Sequence, residues 1–121
     1  MTLEVPLDTN VFIYLFSGNL KEPLPNKTFD YSVITEIELL SYPRLSKKDE
    51  QQLRKLLSGM NDIPLTNKVK QHAITIRKKH KIRLPDAIIS ATAIVYNATL
   101  LTNDKQLLTI PELTSKSLKT I

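Results

Sequence analysis

Short apolar or β-branched runs alternate with segments of helical period along this chain. Glu4 to Leu7 reads as a short strand that ends at Asp8. Thr9 to Phe16 has helical character, with Thr9 or Asn10 available as its N-cap. Ser17-Gly18-Asn19 stops that helix, and Pro23 and Pro25 make the next stretch a loop. Phe29 to Ile34 suits a second strand, and Thr35 to Leu40 opens a helix that Tyr42-Pro43 ends. Ser46 caps a third helix, with Asp49 at the capping-box position and Leu53, Leu56 and Leu57 on one face. Asn61 to Leu65 reads as a short strand. Asn67 caps a helix in which Val69, Ala73 and Ile76 line up. Pro85 suits the first turn of a helix running through Ala87, Ile88, Ala91 and Val95. Thr99 to Thr102 is a further strand, and the weakly alternating tail from Ser115 to Ile121 suits an edge strand. Strands alternating with helices predict an α/β fold with a mainly parallel sheet. No repeat or linker divides the chain, so residues 1–121 read as a single domain.

Composition narrows the class. The 121 residues are 41% hydrophobic, enough to bury a core and to exclude general disorder. There is no cysteine, which excludes a disulfide scaffold, a thiolate zinc site and a cysteine nucleophile. Seventeen Lys and Arg against twelve Asp and Glu give a formal charge of +5, which favours polyanions, nucleic acid first. The early apolar run, Val11 to Phe16, is far short of the roughly 20 residues of a membrane span. Glu4 and Asp8, rather than a basic segment, precede it, so a signal peptide is not expected either. A soluble cytoplasmic protein is the expectation. With two glycines there is no phosphate-cradling Gly loop, and no G-x-S-x-G elbow is present. His72 and His80 stand in no metal-binding pattern.

The chemistry lies in the acids. Asp8 follows the first strand. Glu36 and Glu38 lie at the start of the helix after the second. Asp104 follows the strand ending at Thr102, and Asp86 opens the Pro85 helix. Open α/β sheets bind ligands outside the carboxyl ends of their strands; Asp8, Glu36/Glu38 and Asp104 are expected at such ends, and Asp86, opening a helix, could point back to the same edge. Two carboxylates about 4 Å apart repel by roughly 4 kcal/mol at an effective dielectric of 20. Such a cluster needs a cation or bound protons. Oxygen-only ligation points to a hard ion, Mg²⁺ or Mn²⁺. Each acid also has a structural reading. Thr35-x-x-Glu38 matches a capping box. Asp86 suits a helix dipole, and Asp8 and Asp104, each near an Asn, are turn formers. Their shared location is what favours chemistry.

At these residues the sequence resembles a known family. Leu7-Asp8-Thr9-Asn10-Val11-Phe12-Ile13 is similar to the opening motif of PIN domains, particularly VapC-type toxins. Ser32 to Leu40, with Thr35 ahead of Glu38-Leu39-Leu40, resembles their second motif. Pro85 to Ala93 resembles their D-x-x-I-A-A helix, and Leu100-Leu101-Thr102-Asn103-Asp104 resembles the last motif. Tyr42-Pro43 stands where a Gly often follows the second motif, and Leu107 where a Phe often follows the last. Neither departure removes a carboxylate. The resemblance implies a three-layer α/β/α domain with a mainly parallel central sheet. It further implies a divalent-metal-dependent endoribonuclease, the toxin of a toxin–antitoxin pair. Asp8, Glu38, Asp86 and Asp104 would hold one or two Mg²⁺ or Mn²⁺ ions and be catalytic. Thr9, Asn10, Thr102 and Asn103 would support them. Glu38 is preferred to Glu36 by alignment on E-L-L. On a helix, two residues apart means roughly 200° around the axis, so both cannot face one site. An antitoxin partner and a homodimer are implied as well, with part of Val11 to Phe16 as a candidate contact.

The basic run Arg77, Lys78, Lys79, Lys81 and Arg83 leads directly into Pro85-Asp86. Lys78, Lys79, Lys81 and Arg83 are candidates for holding an RNA backbone beside the metal site. A solvated helix end is the competing reading. Two other functions would use the same acids. One is a decayed PIN-like module that binds RNA or a partner without metal. The other is a receiver-like phosphoacceptor, with Lys105 as its lysine, although Asp8 lacks the adjacent acid such domains carry.

Overall fold

A computed structural model describes residues 3–17 and 28–118; side chains of residues 15–17 are not described. The expected Gly18-Asn19 stop, the Pro23 and Pro25 loop, and residues 119–121 of the tail lie outside that range.

The elements alternate as the hydrophobic pattern predicts: β1 (Val5–Pro6), α1 (Thr9–Ser17), β2 (Phe29–Ser32), α2 (Val33–Leu40), α3 (Lys47–Ser58), β3 (Asn61–Ile63), α4 (Asn67–His80), α5 (Leu84–Val95), β4 (Leu100–Leu101), α6 (Lys105–Leu108) and β5 (Ser115–Lys116). All the strand pairings among the described residues are parallel. β1 lies beside β2 with Pro6 opposite Asp30, and β2 beside β3 with Ser32 opposite Ile63. β4 lies beside β5 with Leu101 opposite Lys116. A parallel bridge between Leu7 and Leu101 and a 2.9 Å bond from Asp8 N–H to the Leu101 carbonyl join the two pieces. The strand order is therefore β3-β2-β1-β4-β5. The order reverses direction on either side of β1, so the gap between β1 and β4 is the topological switch point, where α/β sheets form their crevice.

Strand alternation sends neighbouring side chains to opposite faces, and two cores result. Val5, Leu7, Tyr31 and Leu101 pack with Val11 and Phe12 of α1, Leu39 of α2, and Leu53 and Leu57 of α3. Leu100 packs on the other face with Val69, Ala73 and Ile76 of α4, the apolar positions of α5, and Leu107 of α6. Val11 and Phe12 are thus plain core, while Ile13 is exposed. One acid is part of the sheet itself. Asp30 is 1% exposed, and its carboxylate accepts from the backbone N–H groups of Glu4 and Val5 and from Asn61 Nδ2, at 2.8–2.9 Å. It ties the first three strands together. Among the described residues no helix is long and apolar enough to cross a membrane.

The main departures are at element ends. Helix α1 begins at Thr9, so Thr9 and Asn10 lie in its first turn rather than capping it. Ser32 caps α2, accepting from Thr35 N–H at 3.3 Å, so the helix starts two residues early and Thr35-x-x-Glu38 is not its capping box. Thr66 rather than Asn67 caps α4. Either side chain suits that role, and the first one the chain presents takes it. Ser46 caps α3 as expected, accepting from Asp49 N–H at 3.0 Å.

Candidate active site

Asp8 leaves β1 at the switch point and is 4% exposed. Its Oδ2 accepts a 2.7 Å hydrogen bond from the hydroxyl of Thr102, which follows β4. The same hydroxyl accepts from Asp104 N–H at 3.0 Å, so one fully buried threonine fixes the Asp8 rotamer and the Asp104 backbone. Burial raises the Asp8 carboxyl above the ordinary carboxylate range. The Thr102 hydroxyl and Thr9 N–H oppose that shift, and the nearby charges of Asp86 and Asp104 add to it.

Glu38 reaches the same place from α2. Thr9 Oγ1 donates to Glu38 Oε1 at 2.9 Å and lies 2.9 Å from Thr35 Oγ1, so the first turn of α1 holds the glutamate across the switch point. Glu36 points elsewhere: with Asp62 it adds to the burial that raises the Tyr31 hydroxyl. Asp8, Thr9, Asn10, Glu38 and Asp86 line one open cleft of about 570 Å³ with Arg83. Ile13, Leu39, Tyr42, Leu45 and Leu53 form its apolar side.

Asp86 comes from the first turn of α5. Pro85 removes a backbone N–H where the helix has no partner for it. The Asp86 carboxylate is paired with Arg83, Nε to Oδ2 at 3.1 Å and Nη2 to Oδ1 at 3.5 Å. Sequence reading assigned Arg83 to RNA alone and missed this contact; the i,i+3 spacing at a helix start is the signal that could have found it. Asp104 lies close enough to act electrostatically on Asp8 and Arg83. Its Oδ1 caps α6, accepting from Gln106 and Leu107 N–H at 2.8 and 3.3 Å. Asn103 turns its amide oxygen to Leu118 N–H at 2.7 Å, holding the tail beside the site. The expected cations divide. Lys78 and Lys81 line a second groove with Lys70 and Arg77, while Lys79 pairs with Glu112 at 3.6 Å. His80 also meets Glu112, at 2.8 Å.

The profile of the PIN domain family matches residues 5–113, which takes in Asp8, Glu38, Asp86 and Asp104. The chain belongs to the PIN domain family. Its fold is the three-layer α/β/α arrangement, with helices on both faces of a parallel sheet. This PIN domain is similar to solved toxin–antitoxin structures. A toxin–antitoxin complex from Klebsiella pneumoniae contains a chain 32% identical, with a TM-score of 0.76 over 90% of this chain and 94% of that one. VapBC2 from Rickettsia felis, bound to a DNA fragment from its promoter, gives 26% identity and a TM-score of 0.78 over 97% and 100%. VapBC-1 from nontypeable Haemophilus influenzae gives 27% and 0.71 over 95% and 98%. No curated protein matches the chain. The match makes it a PIN domain of the VapC kind and sets aside the receiver-like reading.

The donor set of this PIN domain is all hard oxygen. Among the described residues, no three His, Asp or Glu side chains converge into a ready-made cage. Mg²⁺ does not need one. It keeps several waters and takes one or two protein carboxylates, completing its shell with substrate phosphate. The buried Asp8, with the charge of Asp86 acting on it, fits such an ion.

Proposed function

We propose that this VapC-type PIN domain is a divalent-metal-dependent endoribonuclease, the toxin of a toxin–antitoxin pair. One observation carries the reading: a buried carboxylate, Asp8, sits at the switch point with Glu38 and Asp86 on the same cleft wall. Asp8, Glu38, Asp86 and Asp104 would hold one or two Mg²⁺ or Mn²⁺ ions. Bound there, the ion supplies Lewis acidity at a phosphoryl oxygen and a water of lowered pKa. Thr102 keeps Asp8 aimed into the cleft, and Thr9 keeps Glu38 there. Asn10, exposed on the cleft wall, is free to meet the substrate. Asn103 supports the loop that carries Asp104.

RNA is the proposed substrate. The formal charge of +5 supports a polyanion, and Lys78 and Lys81, which line the basic groove, would hold its phosphate backbone. Arg83 on the acidic cleft and Lys79, which pairs with Glu112, are proposed as further backbone contacts. The antitoxin is proposed from the similar toxin–antitoxin complexes, and the exposed Ile13 and Tyr42 beside the acids give it apolar purchase. A homodimer is proposed as well, from the likeness to VapC-type toxins.

The test is Asp8→Asn in an RNA cleavage assay with Mg²⁺. Activity should fall at least ~100-fold, as for loss of one charged group that acts in the transition state. A variant that cleaves like the parent would overturn the reading and favour the metal-free binding module.

A further inference from the structure

Arg83 is already engaged before any RNA arrives. Its guanidinium spans both oxygens of Asp86, at 3.1 and 3.5 Å. The arginine side chain is 74% exposed and the aspartate 8%, so the cation lies over the carboxylate from the solvent side. Three carboxylates line the cleft, from Asp8, Glu38 and Asp86, and Arg83 is the one cation among the described lining residues. Its backbone occupies the N-cap position of α5, yet its side chain makes no capping bond. The side chain's fixed partner is therefore the carboxylate alone.

We propose that Arg83 is a counter-ion supplied in cis. It neutralises Asp86 while the cleft lacks a divalent cation, and it is released to the substrate's phosphate backbone when that carboxylate is claimed. This inference rests on the nuclease reading. An arginine does not deprotonate in a protein, so the exchange is a competition for the same two oxygens and not a titration. The exposed guanidinium can swing aside without disturbing packing, since the helix start is held by backbone and Pro85. Once free, its planar fork matches two phosphate oxygens as it matched two carboxylate oxygens. The cleft is thereby kept from carrying three uncompensated charges, and the residue that guards it becomes a contact for RNA.

The competition predicts effects of opposite sign. Mn²⁺ is titrated into the full chain without RNA, and the free ion is followed by its electron paramagnetic resonance signal. Apparent affinity is reduced by the fraction of molecules in which the pair is closed. Arg83→Gln should therefore bind Mn²⁺ roughly three- to tenfold tighter than the parent. Arg83→Lys, which keeps the charge without the fork, should fall between them, so either variant tests the idea. In RNA cleavage, Arg83→Gln should raise KM several-fold more than it changes kcat. A purely structural arginine would show Mn²⁺ affinity unchanged or weakened in both variants, and that result overturns the proposal while leaving a parent that binds Mn²⁺ and cleaves RNA a nuclease. A parent that neither binds Mn²⁺ nor cleaves RNA would sink the nuclease reading and this inference together.

Discussion

Asp8 is held by the fold at a cost to the fold. Because burial raises its carboxyl above the ordinary 3.8, the native state holds the proton more tightly than the unfolded chain does. Stability from this group is full below that ordinary value and is lost as pH climbs past the raised one. Asp8→Asn keeps an acceptor for Thr102 and removes the charge. It should raise the melting temperature of the metal-free protein by a few degrees at neutral pH, and the gain should vanish near pH 3. Calorimetry across pH measures this, alongside the loss of activity expected above. Asp30 behaves differently, because its charge is spent on two backbone N–H groups and an asparagine amide. Asp30→Ala should cost about 2–4 kcal/mol by denaturant unfolding, since it leaves buried donors unmet. The sequence offers no sign of this role: Asp30 sits among Phe29, Tyr31 and Ser32 in a stretch that reads as a strand, and no motif singles it out. Glu38, in contrast, was legible by two routes, motif alignment and helix geometry, and it is Glu38 rather than Glu36 that lines the cleft.

Helix α5 shows how an element serves the site. Its residues from Asp86 to Ala93 are all buried, so the helix is core on every side, and only its first turn meets the cleft. Thr92 satisfies its hydroxyl on the Ile88 carbonyl at 2.7 Å. Ser90, also fully buried, has no partner for its hydroxyl among the described residues. It stands where the D-x-x-I-A-A pattern has alanine. Ser90→Ala should stabilise the protein by about 0.5–1 kcal/mol, from helix propensity and removal of an unmet polar atom, with RNA cleavage unchanged. Periodicity found each helix because apolar spacing is a property of the whole segment. It misplaced the starts of α2 and α4 because a cap is one residue, and Ser32 or Thr35, Thr66 or Asn67, fit equally on paper. Tertiary contacts choose: Thr35 is fully buried against Thr9 and has no room to cap.

At the scale of the whole molecule, the switch point and the helix starts bring Asp8, Glu38 and Asp86 to one cleft, and this is why weak motifs are informative when they occur in order. The Arg83–Asp86 contact left only one trace, the i,i+3 spacing at a helix start, and the run of basic residues around it bears no other mark of which cation takes a carboxylate partner. If the carboxylates do share an ion, Mn²⁺ should stabilise the native chain by linkage. At ten times its Kd the gain is about 1.4 kcal/mol, roughly 5 °C for a protein of this size. Thermal melts with and without the ion check this, and Asp8→Asn should abolish the shift.

Among the described residues the backbones of the two pieces of the sheet are joined by the Leu7–Leu101 bridge and the Asp8 amide. Asp8 belongs to one piece and Thr102 with Asp104 to the other. The seam that creates the crevice is thus also the thinnest joint in the architecture, and a ligand gripping both sides would act as a rivet. Cargo and scaffold are then inseparable: whatever occupies the crevice also decides how firmly the halves stay together.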